Sequence, residues 1–533
     1  MKGLLDVATL CRVNLAQFYG IEIDEAAAHI ARVALYITDH QQNEQAAKYF
    51  GTTRATIPLT ATPQVLVGNA LRVDWQDVLP AIKCSYVLGN PPFIGYSVQS
   101  KEQKEDLELV FGKLHGAGVL DYVCGWYEKA ANYIQANDLI ECAFVSTNSI
   151  TQGEQPAVLW RSLSAKGMII NFAHRTFRWS NEGKGVAAVH CVVVGFAKFD
   201  KKIKRIYVYE NIAAEPVEIK AAQINAYLVD AANVLLDKRK APLSLNMPIM
   251  TRGSSPVDGG NLLMSDVEKQ ELVKQEPAAE KWIKRYLMGD EFINGVERWC
   301  LWLQNISATE LKQMPLVHAR VEAVRRMRLA SKKEITVALA NSPTIFGEIR
   351  LSKSSTYLAI PKVSSERRAY IPIAYLDDTT ICGDKIFFVS NATLSSFGVL
   401  TSSMHMAWMR AVCGRMKSDY SYSNTIVYNN FPYPALENED IVSAISLTAQ
   451  KILDVREKHP SFSLADLYDP LTMPIELAKA HAANNKAVDK AFGYKGADDD
   501  ASRVAFLFKR YEELTSLLPT APAKKTRKVK DLT

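Results

Sequence analysis

The sequence predicts an α/β protein: an open sheet with helices on both faces in the N-terminal half, then a mixed α/β segment and a C-terminal helical bundle. Short apolar runs of strand length alternate with helix-length runs as far as residue 240. Between 241 and 436 the strand-like runs shorten and glycine, serine and proline gather, as in Gly253-Ser254-Ser255-Pro256 and Asp258-Gly259-Gly260. Helical periodicity returns beyond Pro434, first with Ile441, Ile445, Ile452 and Val455, then with Val504, Leu507, Phe508, Tyr511, Leu514 and Leu518. The expected domains are residues 1–240, 241–436 and 437–520. A basic tail over 521–533, expected to be disordered, carries Lys524, Lys525, Arg527, Lys528 and Lys530.

The first strand is expected over Phe18 to Ile23, ending in Glu22 and Asp24. A helix follows with Ile30, Val33, Ala34 and Ile37 on one face. Further strands are expected at Gln64 to Val67, Tyr86 to Leu88, Ile140 to Val145 and Val186 to Phe196, with a helix over Tyr122 to Ile134. Such alternation predicts a mostly parallel sheet, in which ligands bind beyond the C-terminal strand ends. Glu22, Asp74 and Asn90 all read as lying at such ends.

Composition narrows the function classes. At 533 residues, 48% hydrophobic and 23% charged, the chain is globular and long enough for about three domains. Its net charge of +6 is compatible with a polyanionic partner. The eight cysteines include no CxxC pair and the nine histidines no HExxH, so neither zinc nor a disulfide framework is expected. No apolar run approaches membrane-spanning length and no signal-peptide pattern is present, so a cytoplasmic location is expected.

The chemistry concentrates at Asn90-Pro91-Pro92-Phe93, directly after the apolar run Tyr86-Val87-Leu88-Gly89. An exocyclic amine on a nucleobase is a poor nucleophile because its lone pair is delocalised into the ring. Asn90 can accept one of its N–H groups through the side-chain oxygen and Pro91 the other through its carbonyl, which draws the nitrogen toward a tetrahedral geometry. The prolines stiffen the turn, and Phe93 offers a face for a base drawn out of its duplex. A plain strand-to-loop turn is the alternative. Glu22 suits the two hydroxyls of a ribose, or is a helix N-terminal acid favoured by the dipole. Asp74 beside Trp75 suits the amino group and face of an adenine moiety, or is an ordinary strand-end pair.

Three segments in this order and spacing resemble the second, third and fourth motifs of S-adenosylmethionine-dependent adenine DNA methyltransferases: Gly20-Ile21-Glu22-Ile23-Asp24, Asn69-Ala70-Leu71-Arg72-Val73-Asp74-Trp75 and Asn90-Pro91-Pro92-Phe93. Residues 147–155, Ala173-His174-Arg175-Thr176-Phe177-Arg178-Trp179-Ser180 and Val427-Tyr428-Asn429-Asn430-Phe431-Pro432 are similar to the MmeI-like branch, in which nuclease, methyltransferase and target-recognition domain share one polypeptide. The resemblance implies a Rossmann-like class I methyltransferase sheet. It places Glu22 on the ribose of S-adenosyl-L-methionine, Asp74 and Trp75 at its adenine, and Asn90 to Phe93 around the target amine. Phe177 or Trp179 then becomes a second stacking face for the flipped base, unless both are core aromatics. One departure counts against completeness: no glycine-rich loop precedes Glu22, so the first strand, its loop and the nuclease are expected to lie upstream, the chain being either a fragment or one piece of a split enzyme completed by an upstream polypeptide.

Contacts to double-stranded DNA are expected beyond residue 240. Arg320, Arg325, Arg326 and Arg328, with Lys332 and Lys333, are expected in one helix, where they track phosphates or simply form a solvated face. In Lys362-Val363-Ser364-Ser365-Glu366-Arg367-Arg368, the residues Lys362, Ser364, Arg367 and Arg368 are suited to phosphate. If the chain is extended there, Lys417 and Asp419 point to one side and can read a G·C pair, with an exposed salt bridge as the alternative. The sequence therefore reads as the methyl-transfer and target-recognition part of a type II restriction–modification protein that makes N6-methyladenine. A DNA-binding remnant without activity is the main rival. A protein-glutamine methyltransferase sharing the same turn is less compatible with the large segment after residue 240.

Overall fold

The computed structural model describes residues 12–50, 61–179, 189–209, 214–416 and 418–516. Lys417 and the basic tail lie outside the described residues. The chain divides into two compact units, one of residues up to 150 and 155–228, the other of residues 151–154 and from 229 onward.

In the first unit, β1 (Tyr19–Glu22) pairs in parallel with β2 (Gln64–Val67), and α1 (Glu25–Phe50) runs between them. Asp24 starts this helix, accepting the Ala27 N–H at 2.8 Å. The predicted apolar face of α1 exists but is uncovered: Ile30, Val33 and Ile37 are all more than half exposed. A second sheet has the order β3-β4-β6-β5-β7-β8, with β3 Tyr86–Gly89, β4 Glu141–Thr147, β5 Ile169–Trp179, β6 Val189–Ala197, β7 Lys204–Val208 and β8 Val217–Ala221. It is more mixed than predicted. Only β3·β4 and β5·β7 run parallel in it, because β6 enters antiparallel between β4 and β5.

The short helix α2 (Trp75–Val78), α3 (Lys101–Phe111), α4 (Cys124–Ile134) and α5 (Gln155–Ala165) complete this unit. Its core is aromatic. Tyr127 of α4 stacks on Phe196 of β6 with centroids 5.4 Å apart and meets Phe144 of β4 edge-on at 5.2 Å. Gly125 is required where α4 meets the loop after β2, since an added Cβ would lie 2.9 Å from Leu71 Cδ1.

The second unit holds three small sheets. One has the order β15-β13-β17-β9, from β9 (Met250–Arg252), β13 (Thr356–Pro361), β15 (Ala374–Asp377) and β17 (Ile386–Ser390). Another has the order β10-β12-β11-β16, from β10 (Leu263–Ser265), β11 (Ile283–Leu287), β12 (Arg298–Leu301) and β16 (Thr380–Cys382). The third joins β14 (Val363–Ser364) to the hairpin β18 (Gly414–Met416) and β19 (Asp419–Ser421). Beyond them lie three long helices, Glu439–Glu457, Ile475–Phe492 and Asp500–Ser516. The family-like stretch at 427–432 is buried where these helices meet the rest of the unit. Asn430 donates to the carbonyls of Asp237, Thr425 and Ile426 and accepts from Arg239 and the Tyr511 hydroxyl, so it serves as a structural knot.

Candidate active site

Strand β3 ends at Gly89, and the chain then presents Asn90 exposed and Pro91 buried. Among the described residues, neither the Asn90 amide nor the Pro91 carbonyl makes a hydrogen bond, so two acceptors are unpaired at a strand end. The loop that follows is fixed from behind. The Ile94 N–H donates to Pro92 O at 3.2 Å, Ile94 O accepts the Tyr122 N–H at 2.9 Å, and the Tyr96 N–H donates to Asp121 Oδ1 at 3.1 Å. Asp121 is 3% exposed and also accepts from Thr147 Oγ1 at 2.8 Å and Gln155 Nε2 at 3.0 Å. One carboxylate thus ties the loop after β3 to the last residue of β4.

Glu22 ends β1, and its carbonyl accepts the Gly68 N–H at 2.8 Å. Its Oε1 takes the Asp24 N–H at 3.0 Å, and the other oxygen has no partner among the described residues. Asp74 departs from expectation. It lies not at a strand end but in the loop after β2, where it caps α2 by accepting the Gln76 N–H at 3.0 Å. Trp75 is held by a bond from Nε1 to Ala70 O at 2.9 Å and by edge contact with Tyr133 at 5.7 Å.

This loop is anchored by Asp106 of α3, which accepts from Asn69 at 2.9 Å, Arg72 at 2.5 Å and the Tyr122 hydroxyl at 2.6 Å. Burial alone would push the Asp106 carboxyl up, but these three donors outweigh it and hold it below its usual range. Tyr122, held through its hydroxyl by Asp106, follows Asp121 in the chain, so the two carboxylates link the Asp74 loop to the Asn90 loop. No hydrogen bond or ion pair joins Glu22, Asp74 and Asn90 among the described residues, and β1 and β3 stand in different sheets.

Phe177 and Trp179 lie two apart on β5, with rings 6.2 Å from each other. Pairing with β6 slips between His174 and Phe177, a bulge that re-aims the strand end. Phe177 stacks on Tyr209 at 5.3 Å, and the Tyr209 hydroxyl meets His174 Nδ1 at 2.8 Å. The His174 ring in turn stacks on Tyr207 at 4.2 Å. Burial lowers the His174 pKa, favouring the neutral ring.

In the second unit the predicted basic helix spans Pro315–Leu329, which leaves Lys332 and Lys333 beyond its end. Arg325 and Arg326 are exposed. Arg328 is fully buried and donates to five backbone carbonyls, of Pro256, Val257, Leu339, Ser342 and Ile345, so it organises the fold rather than a surface. Arg320 is likewise tied to Asn261 O, Leu263 O and Glu268. Ser364 is buried in β14, which withdraws its hydroxyl from the surface. Arg367 is exposed, 3.9 Å from Asp469. Arg368 is half-buried, and burial lowers its pKa. Asp419 opens β19 opposite Met416, so the chain reverses between β18 and β19 and is not extended there, the condition under which Lys417 and Asp419 would point to one side. Arg415 steadies this hairpin, lying 4.4 Å from the Tyr420 ring and bonding Glu366 at 3.0 Å and Ser418 O at 2.8 Å.

Three MmeI families match the chain: the DNA-methyltransferase domain over residues 3–209, the target recognition domain over 230–435 and the C-terminal domain over 437–519. A solved structure of the Type IIL restriction-modification enzyme MmeI in complex with DNA is 49% identical with a TM-score of 0.87, covering 97% of this chain and 68% of that one. The chain belongs to the MmeI family. DNA methyltransferase A of Bacillus subtilis (strain 168) is 38% identical over 506 residues, 94% of this chain and 56% of that protein. The chain therefore spans little more than half the length of that relative.

Asp106 and Asp121 support this candidate site and were missed by sequence reasoning. Neither sits in a recognisable motif. The one available signal was an acid inside an apolar run, Gly118-Val119-Leu120-Asp121-Tyr122-Val123-Cys124, where an unpaired carboxylate would be too costly to bury.

Proposed function

We propose that this chain carries the methyl-transfer and target-recognition functions of a restriction–modification protein that methylates the exocyclic amine of adenine in a specific duplex sequence. The pair of unpaired acceptors at Asn90 and Pro91, on a loop clamped by Asp121, is the observation that carries the proposal. S-adenosyl-L-methionine supplies an electrophilic methyl group. The donor set fits it: Glu22 offers a free carboxylate oxygen for a ribose, and Trp75 a ring held in place beside Asp74. Asn90 Oδ1 and Pro91 O would each accept one N–H of the target amine, leaving its lone pair able to form the new bond to the methyl carbon as the methyl–sulfur bond breaks; the surplus amine proton would pass to water. Phe93 on one side and Phe177 or Trp179 on the other offer faces to the extruded base.

A second element of the proposal concerns completeness of the sheet. Among the described residues β1 pairs only with β2 and β3 only with β4, while Tyr86 and Leu88 of β3 and the apolar face of α1 are exposed. Open apolar strand edges of this kind are sites for a further strand. We infer that another stretch of polypeptide supplies a strand and a glycine-rich loop here, and that without it the chain binds DNA but holds the cofactor weakly. Calorimetric titration with S-adenosylmethionine tests this: tight binding by this chain alone would refute it.

The activity itself is tested on protein that includes such a stretch, with labelled S-adenosylmethionine and nucleoside mass spectrometry. N6-methyladenine is the expected product, and N4-methylcytosine would overturn the adenine assignment. Asn90→Ala should abolish transfer and leave duplex affinity unchanged. A large loss of affinity with residual methylation would reverse the role given to Asn90.

A further inference from the structure

Three cations converge at one end of the sheet built from β13, β17 and β9. Lys362 follows β13, Lys385 precedes β17, and Arg252 ends β9 opposite Phe387. The strand register brings them together: the Lys362 N–H donates to Lys385 O at 2.9 Å, and the Gly253 N–H donates to Ile386 O at 2.9 Å. Like charges on neighbouring strands repel, and each weakens the fold unless an anion offsets it. The local supply of carboxylate is short. A single oxygen, Glu348 Oε2, serves both Arg252 at 2.7 Å and Arg350 at 3.0 Å. Lys362 and Lys385 make no ion pair among the described residues, and Asp384 is the one carboxylate that raises the Lys362 pKa. Burial, then Lys385 and Arg252, push that pKa down, as expected for a cation crowded by others. Arg252 Nε is buried without a partner.

Position adds a second observation. Lys362 O accepts the Tyr422 N–H at 2.7 Å, and β14 begins at the next residue and pairs with β19, the strand that carries Asp419. The cation cluster therefore adjoins the strand that pairs with the hairpin carrying Asp419.

We propose that Lys362, Lys385 and Arg252 form a clamp for the phosphodiester backbone of duplex DNA, with Lys385 as its exposed member. The clamp rests on the DNA-binding reading given above. Phosphate contacts fix the register of a protein on the duplex, and base contacts specify the sequence. The clamp lies on the sheet β15-β13-β17-β9, and Lys362 leads directly from it into β14, the strand that pairs with the hairpin bearing Asp419.

The test measures affinity by fluorescence anisotropy across a salt series, for one duplex that the protein methylates and one unrelated duplex. Lys385→Gln and the double variant Lys362→Gln with Lys385→Gln are compared with Lys451→Gln, a change at an exposed helix position. Each clamp lysine lost should weaken binding to both duplexes by a similar factor, on the order of fivefold at about 0.1 M salt, and make the salt slope shallower by about 0.9. Lys451→Gln should match wild type. An unchanged slope in Lys385→Gln, with its thermal midpoint intact, overturns the clamp. Loss confined to the methylated duplex also overturns it, since that marks a base contact. Wild-type protein that binds neither duplex would sink the DNA-binding reading itself, a result distinct from both.

Discussion

The Asp121 carboxylate accepts the Tyr96 backbone N–H at 3.1 Å while the same side chain takes a hydrogen bond from Thr147 at 2.8 Å. The loop bearing Asn90 is thus held to the end of β4 by one buried group. Replacing Asp121 with Asn keeps its size and loses an acceptor for one of its three donors. Because positional errors of about 1 Å can cost roughly a hundredfold in rate, Asp121→Asn should lower kcat for methyl transfer ten- to a hundredfold with KM for DNA unchanged. Steady-state kinetics check this, and a change in KM alone would remove Asp121 from the positioning role.

Asp106 takes three donors at a buried position, so Asp106→Asn leaves at least one of them unmatched. A buried group stripped of its partner costs about 1–3 kcal/mol. The thermal midpoint should fall, and limited proteolysis should cut first between Gly68 and Asp74, the loop that Asn69 and Arg72 anchor.

Acid should weaken the second unit through two buried histidines. Burial lowers the His405 pKa to about 4, and burial followed by the nearby Arg456 lowers that of His481 to about 3. An unfolded histidine protonates near 6.5. Between these values the unfolded chain binds more protons, so stability is fully present above about pH 6.5 and drains away as pH falls toward 4. Each ring contributes a slope of up to about 1.4 kcal/mol per pH unit. Denaturant melts across pH 4 to 8 should show the decline, and His405→Gln should make it shallower even though the variant starts from a lower stability.

Asp419 offers the specificity test. If it accepts from a cytosine amine while Lys417 donates to the partner guanine, each contact discriminates by about 1–3 kcal/mol. Exchanging the charges, as Lys417→Glu with Asp419→Arg, should change the preferred base pair at one position of the site and leave the others alone. Methylation-site sequencing reads this directly, and an unchanged site in an active double variant would make the pair a surface salt bridge.

Strands and the acceptor loop were legible because each is local: β1, β2, β3 and β4 are short apolar runs, and Asn90 to Phe93 follows one of them directly. What sequence does not carry is partnership across distance. That β6 enters antiparallel between β4 and β5 depends on long-range pairing. Asp74 was misplaced because Asp-Trp after an apolar run reads equally as a strand end or as a helix cap, and the cap is decided by a loop anchored at Asp106, some thirty residues away. Arg328 illustrates the same limit: in sequence it is one basic residue among several, and only the five carbonyls converging on it reveal a structural role.

The sparse burial of α1 also bears on thermodynamics. Ala28 and Asn43 are its buried residues among those described, and Arg32 bonding Val65 O is one of few side-chain ties from it to β2. A segment so thinly attached opens at a lower free energy than the aromatic core around Tyr127. Any ligand that engages Glu22 therefore binds only the fraction of molecules in which β1 and α1 are docked, and its apparent dissociation constant rises by the inverse of that fraction. Whatever covers Ile30, Val33 and Ile37 would remove this penalty, and so would act as a positive effector of cofactor affinity without touching the cofactor.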